Sequence, residues 1–256
     1  MNVDQLTTEL ADIPNMTPAQ GRRVYDHLLA SNARDVLEIG TAHGVSSCYM
    51  AAAVSTHGGR VTTVDSAEAT KLRNPQPQDV IDRVGLTSHI NRVLIDDSSY
   101  TWWLKDEIAR HSDSDGNCTP AYDFIYIDGA HNWTIDGLSV FLAEKLLRIG
   151  GWLLLDDLKW SYAGGSGSFG PGQGPADLRL SQAEAEAPHM QLVFDLIVQQ
   201  HPSFSEFRVE DEDWGWAKKD PTAPRRLEMV RTVNAAERLH GLARRVVEGA
   251  GSLRGK

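Results

Sequence analysis

Residues 121–160 read AYDFIYIDGAHNWTIDGLSVFLAEKLLRIGGWLLLDDLKW, and they hold the fold in outline. Two apolar runs, Phe124 to Ile127 and Trp152 to Leu155, each stop on acid: Asp128 after the first, Asp156 and Asp157 after the second. Between them Ile135, Leu138, Phe141, Leu142 and Leu146 recur at helical spacing, and Gly150-Gly151 closes the segment. The pattern predicts a strand, a helix and a second strand. Parallel strands lie about 5 Å apart and a right-handed crossover brings the second beside the first, so both carboxyl ends share one sheet edge and the three acids converge. Carboxylates gathered in this way repel one another unless a cation sits among them.

Upstream, RDVLEIGTAHGVSSCYMAAAV (residues 34–54) reads as a buried strand from Val36 to Ile39, a turn from Gly40 to Gly44, and a helix of small residues capped by Ser46 or Ser47. Glycine at a strand-to-helix turn lets a ligand approach the backbone and meet helix N–H groups. The sixth position counted from Gly40 is Val45, so the dinucleotide fingerprint is not met, and a plain tight turn would account for this stretch alone. The next strand, Arg60 to Val64, ends on Asp65, suited to accept from both hydroxyls of a ribose or to cap a loop. Residues 66–78 read as a surface loop before a short helix near Asp79 to Val84. A third strand, Ile90 to Ile95, runs into Asp96-Asp97-Ser98-Ser99, and a helix with core-packed Trp102 and Trp103 follows. Ligand-type residues thus close strand after strand, the pattern of a doubly wound sheet with its site outside the carboxyl ends.

The flanks are consistent with this. Thr17-Pro18-Ala19-Gln20 is a capping box with proline at the first helical position, opening a helix expected to cover one sheet edge. A glycine-rich stretch over 163–175 emerges beside the acids, either a lid or a tether. Pro188 opens a helix through Val198, and Phe204 to Val209 with Trp214 to Ala217 form an antiparallel pair. From Lys218 onward there are ten Lys or Arg against four Asp or Glu, while the first 217 residues carry 15 against 31. The body is therefore acidic, which argues against a nucleic-acid surface, and residues 220–256 form a basic helical tail that packs on the body or on a second subunit. Two cysteines without metal spacing, no secretory signal and no apolar run of about 20 residues lead us to expect a cytoplasmic protein without a membrane span.

The motifs VLEIGTAHGVSS, VTTVDS, VLIDDSS, FIYIDGAH and GGWLLLDD, in this order, resemble the class I S-adenosylmethionine-dependent methyltransferases. The wording of IDGAH and GGWLLLDD is similar to the macrolide-sugar O-methyltransferases, and the layout to catechol O-methyltransferase. The resemblance covers roughly residues 17–219 and implies an α/β, doubly wound, seven-stranded and mostly parallel sheet with an antiparallel last strand; with the N-terminal helices, residues 1–219 are expected to form the methyltransferase domain. It implies S-adenosylmethionine held by Glu38, Gly40, Thr41, Ala42, Gly44, Asp65, Ser66, Asp97, Ser98 and Asp128. It further implies a divalent cation on Asp128, Asp156 and Asp157, with His131 as general base beside Asp128. The acceptor implied is a hydroxyl of a small molecule, a sugar or glycosylated metabolite. An all-oxygen set suits Mg2+ first and Mn2+ or Ca2+ next. Separately, Asp128 could be a helix cap, His131 a structural histidine, Lys159 a solvated lysine, and Trp133 and Trp160 either core or pocket residues. A hydroxylation-pathway enzyme of a related antibiotic branch and a non-catalytic cofactor-binding subunit are the competing functions.

Overall fold

The computed structural model describes residues 2–164 and 180–220. The glycine-rich stretch beyond Gly164, expected as lid or tether, and the basic tail beyond Asp220 lie outside the described residues.

Seven strands form one sheet: β1 (Asp35–Ile39), β2 (Arg60–Ser66), β3 (Ile90–Ile95), β4 (Tyr122–Ile127), β5 (Leu147–Leu155), β6 (Phe204–Glu210) and β7 (Trp214–Lys219). Their order is β3-β2-β1-β4-β5-β7-β6. β1 to β5 run parallel, and β7 is antiparallel to both neighbours, as expected. The order reverses between β1 and β4, which opens a crevice at their carboxyl ends.

Side-chain alternation divides the core in two. Phe124 and Tyr126 of β4 join one cluster with Val36, Leu154, Trp214 and Trp216, while Ile125 and Ile127 join another with Leu37, Ile39 and Leu155. The first face is covered by α1 (Val3–Glu9), α2 (Pro18–Ala30), α3 (Val45–Ser55) and, after α4 (Ala67–Lys71), by α5 (Pro77–Arg83). The second is covered by α6 (Tyr100–Arg110), α7 (Trp133–Leu146) and, beyond α8 (Gln182–Glu186), α9 (His189–Val193) with a π-helical turn at Phe194–Val198.

Several boundaries differ from the sequence expectation for local reasons. Thr17 and Gln20 do form the capping box of α2, yet the helix lies over the sheet face: its His27 meets Phe124, Trp152 and Trp216 at 5.8, 5.3 and 4.7 Å. α7 stops at Leu146, not at Gly150-Gly151, because Leu147 already pairs with Tyr122 and β5 absorbs the glycines through a register shift. Residues 67–71 are helical because the Ser66 hydroxyl caps Ala69. Trp102 is 54% exposed with Lys105 above its ring, so it is no core residue.

His27 makes the first core acid-sensitive. Burial, followed by the positive charge of Arg208, lowers its pKa to about 4, and its buried Nε2 has no partner among the described residues. Below the unfolded value near 6.5 the unfolded chain takes up a proton that the fold refuses, so stability falls from pH 6.5 toward 4. We expect the loss over that range to reach about 2–3 kcal/mol. Urea unfolding of wild type and His27→Leu across these pH values should show it in the difference, which cancels the opposite contribution of buried acids.

Candidate active site

The β1–α3 turn is built around two carboxylates. Glu38, fully buried, accepts from the hydroxyls of Ser46 and Ser47, so neither serine caps α3, and Gly44 in a left-handed conformation begins that helix instead. Burial raises Glu38 to about 7 against the hydroxyls of Ser46, Ser47 and Thr63. Asp65 holds the turn itself: its Oδ2 accepts from Thr41 N at 3.1 Å and Ala42 N at 3.0 Å. Its Oδ1 accepts from Ser66 N at 2.7 Å and from the Tyr100 hydroxyl at 3.0 Å. Ala42 is left-handed at φ 45°, a strain the two hydrogen bonds offset. Gly40 has φ 94°, and a Cβ there would lie 1.9 Å from the Asp128 carbonyl, so the ends of β1 and β4 touch through a glycine.

At the end of β4, His131 Nε2 lies 3.1 Å from Asp128 Oδ1 and 2.9 Å from Asp157 Oδ2. Both His131 and Asp157 are left-handed, at φ 51° and 56°, which turns their side chains toward this meeting point. Asp128 caps nothing: Asn132 caps α7, accepting from Thr134 and Ile135 N. Burial disfavours a charged imidazole, but hydrogen bonds and attraction from Asp128 and Asp157 outweigh it and raise His131 well above its ordinary range. Burial raises Asp128 to about 6 although His131 pulls it down. Asp156 lines the same cavity, but its oxygens are engaged by other donors. It accepts from the Tyr126 hydroxyl, from Trp214 Nε1 at 2.6 Å and from Asp157 N at 2.7 Å, and burial with the charges of Asp128 and Asp157 raises it strongly.

A cavity of about 230 Å3 joins these parts and is lined by Gly40, Ala42, Asp65, Asp128, His131, Asp156 and Asp157, among others. Trp160 lines it, 5.2 Å from the His131 ring, whereas Trp133 is not among the lining residues. Thr41 is buried behind the turn, its hydroxyl 2.6 Å from that of Thr63, and Ser66 serves α4. Asp97 and Ser98 are exposed beyond β3 and outside the lining, and Lys159 pairs with Glu212. Within 4.8 Å the structure groups Asp128, His131 and Asp157, and separately Asp156, Asp157 and Asp213. The expected set of Asp128, Asp156 and Asp157 is thus divided, because Tyr126 and Trp214 turn Asp156 inward. Asn15, Arg73, Tyr100 and Asp213 carry no sequence motif, and Gln20 belongs only to the capping box of α2; of these Tyr100 alone, next to IDDSS, stood where a site could be sought.

Residues 37–158 match the family model described as a methyltransferase domain. Among solved structures, the chain is similar to an O-methyltransferase from Bacillus cereus in complex with SAH, at 21% identity, TM-score 0.55, over 85% of this chain and 89% of that one. It is similar to TomG from Streptomyces achromogenes, an O-methyltransferase of tomaymycin synthesis in complex with SAM, at 16% identity, TM-score 0.55 and the same coverages. SAH-bound PaMTH1 of Podospora anserina follows at 14% identity and TM-score 0.57, over 85% of this chain and 87% of that one. No curated protein matches the sequence. Among the described residues no helix is long and apolar enough to cross a membrane.

The two adjacent acids should separate in stability. Asp156→Ala leaves the buried Tyr126 hydroxyl and Trp214 N–H unpaired and should cost about 2–5 kcal/mol. Asp157→Ala, at a side chain 38% exposed, should cost under about 1 kcal/mol in the same urea titration.

Proposed function

We propose that this class I methyltransferase domain moves the methyl group of S-adenosylmethionine to a hydroxyl oxygen of a small molecule, with a divalent cation at the acids. The observation that supports the reading best is the triangle of Asp128, His131 and Asp157, set in the same cavity as the Gly40–Gly44 turn and Asp65. The acceptor class, a sugar or glycosylated metabolite, rests on the wording of IDGAH and GGWLLLDD alone.

On this reading the methionine portion lies along Gly40 to Gly44, the ribose at Asp65 and the sulfonium near Asp128. Asp65 fits the ribose with one condition. A carboxylate offers about four lone-pair positions, and all four are in use. Three donors are backbone N–H groups fixed by the fold; the Tyr100 hydroxyl alone can swing away, so a ribose hydroxyl takes its place.

The donor atoms of Asp128, His131 and Asp157 lie within 4.8 Å of one another; the two carboxylates suit Mg2+ or Mn2+, while His131 Nε2 is left off the ion as proton acceptor. Asp128 and Asp157 would hold it, with Asp156 as third ligand only if released from Tyr126 and Trp214. When bound, such a cation lowers the pKa of a hydroxyl it contacts. The protein then orients the acceptor oxygen toward the methyl carbon, excludes water with Trp160, and accepts the hydroxyl proton on His131 Nε2. The new O–CH3 bond forms as the S–CH3 bond breaks, its electron pair remaining on sulfur as the neutral thioether. A second reading is favoured by the same triangle: the imidazolium of His131 supplies the positive charge between the two acids, and catalysis needs no metal.

Incubation with S-adenosylmethionine and a panel of glycosides should give products heavier by one methyl, with activity lost in EDTA and restored by Mg2+. EDTA-resistant turnover would support the second reading; no product with any hydroxyl acceptor, despite bound cofactor, would count against both. Asp157→Asn should raise the Mg2+ requirement about 10–100-fold. Since His131 must be neutral to take a proton and its neighbours keep it protonated, the rate should rise with pH. A cation beside Asp128 and Asp157 lowers its proton affinity, so raising Mg2+ should move that limb of the pH–rate profile to lower pH. Tyr100→Phe frees one acceptor position on Asp65 and should tighten SAH about fivefold by calorimetry.

A further inference from the structure

We propose that Arg73 is the anchor for the carboxylate at the methionine end of the cofactor, an inference that rests on the S-adenosylmethionine reading above. The cavity is strongly polarised. Among the described residues that line it, four are acids, Asp65, Asp128, Asp156 and Asp157, and Arg73 is the one Lys or Arg. Among the described residues no carboxylate pairs with it and its buried Nε–H has no acceptor. Its neighbour in the next helix shows the contrast: Arg83 is held bidentately by Asp12 at 3.1 and 3.2 Å. A buried N–H without an acceptor costs about 1–3 kcal/mol, which a bound anion would recover.

The position of Arg73 points to one end of the ligand. Its backbone is pinned on both sides: its N–H donates to Thr70 O at 3.0 Å and its carbonyl accepts from Gln76 Nε2 at 2.6 Å. Arg73 lines the cavity together with Gly40 and Ala42 of the turn, and its positive charge, after burial, holds the neighbouring His43 below its ordinary range. His43 in turn lies 2.5 Å from Asn15, which lines the cavity together with Gln20 and Ala42. S-adenosylmethionine carries two positive groups, sulfonium and ammonium, and one negative group, the carboxylate. The acids suit the first two and repel the third; the fork of an arginine matches a carboxylate in shape and charge. α4 and the segment after it lie outside the strand-end motifs, which is why sequence pattern did not single this residue out.

The test is calorimetric binding of SAH and of its decarboxylated analogue to wild type, Arg73→Met and Arg73→Lys. Losing a charge-assisted contact should weaken SAH about 10–100-fold in Arg73→Met, while the decarboxylated analogue changes less than about twofold. Arg73→Lys should recover part of the preference for the carboxylate, and circular-dichroism melting should show both variants folded. Equal weakening of both ligands, or no weakening of either, would overturn the anchor and leave the cofactor site standing. Wild type that binds neither ligand would overturn the cofactor reading and the anchor with it.

Discussion

Four acids withdrawn from water at one edge of a sheet set the terms for the rest of this structure. Glu38, Asp65, Asp128 and Asp156 are buried or enclosed where β1, β2, β4 and β5 end, and a carboxylate without partners in such a place is expensive. Each has been given donors taken from elsewhere. Glu38 uses the serines that would have capped α3, Asp156 uses Tyr126 and Trp214, and Asp65 uses the backbone of the glycine turn. Asp128 shares His131 with Asp157. The left-handed residues Ala42, His131 and Asp157 are where the backbone bends to make those contacts.

The opposite edge of the sheet is handled differently. Where β1, β4 and β5 begin, Arg148 bridges Asp35 at 2.9 Å and Asp123 at 2.7 Å, and Asp123 also accepts from Arg34 and Asp35 N. Acids there are neutralised in place. At the carboxyl edge the described residues set one imidazole, His131, among Asp128, Asp156 and Asp157, with Arg73 the one Lys or Arg in the cavity lining, so the negative field at the three acids stays open to a ligand that brings positive charge. A sulfonium or a divalent cation has that charge, and the crevice between β1 and β4 has the opening.

Much of this was legible in the chain because its signals are local. Strand-like runs of four to six residues that stop on Asp65, Asp96, Asp128 and Asp156, apolar throughout before the last two, mark strands and their exits whatever packs around them. The capping box at Thr17 and the antiparallel pair near the end are also self-contained. The misreadings share a different cause. Ser46 and Ser47 look like caps until a buried Glu38 competes for their hydroxyls, and Gly150-Gly151 looks like a helix stop until Leu147 pairs with Tyr122. Trp102 looks like core until α6 is placed with that side outward.

The sequence by itself determined the alternation of strands and helices, the sheet edge on which the acids gather, and the residue types available there, because hydrophobic period and strand termini need only neighbours along the chain. Only the tertiary structure decided which acids face one another. Asp156 and Asp157 are adjacent in sequence, yet one turns inward to Trp214, 58 residues away, and the other outward to His131. The direction of a side chain at a strand exit is chosen by the partners that relieve its burial, and those come from distant segments. Arg73 belongs to the same category: its chemistry is plain in the sequence, but that it lines the cavity with its Nε–H lacking an acceptor among the described residues follows from packing alone.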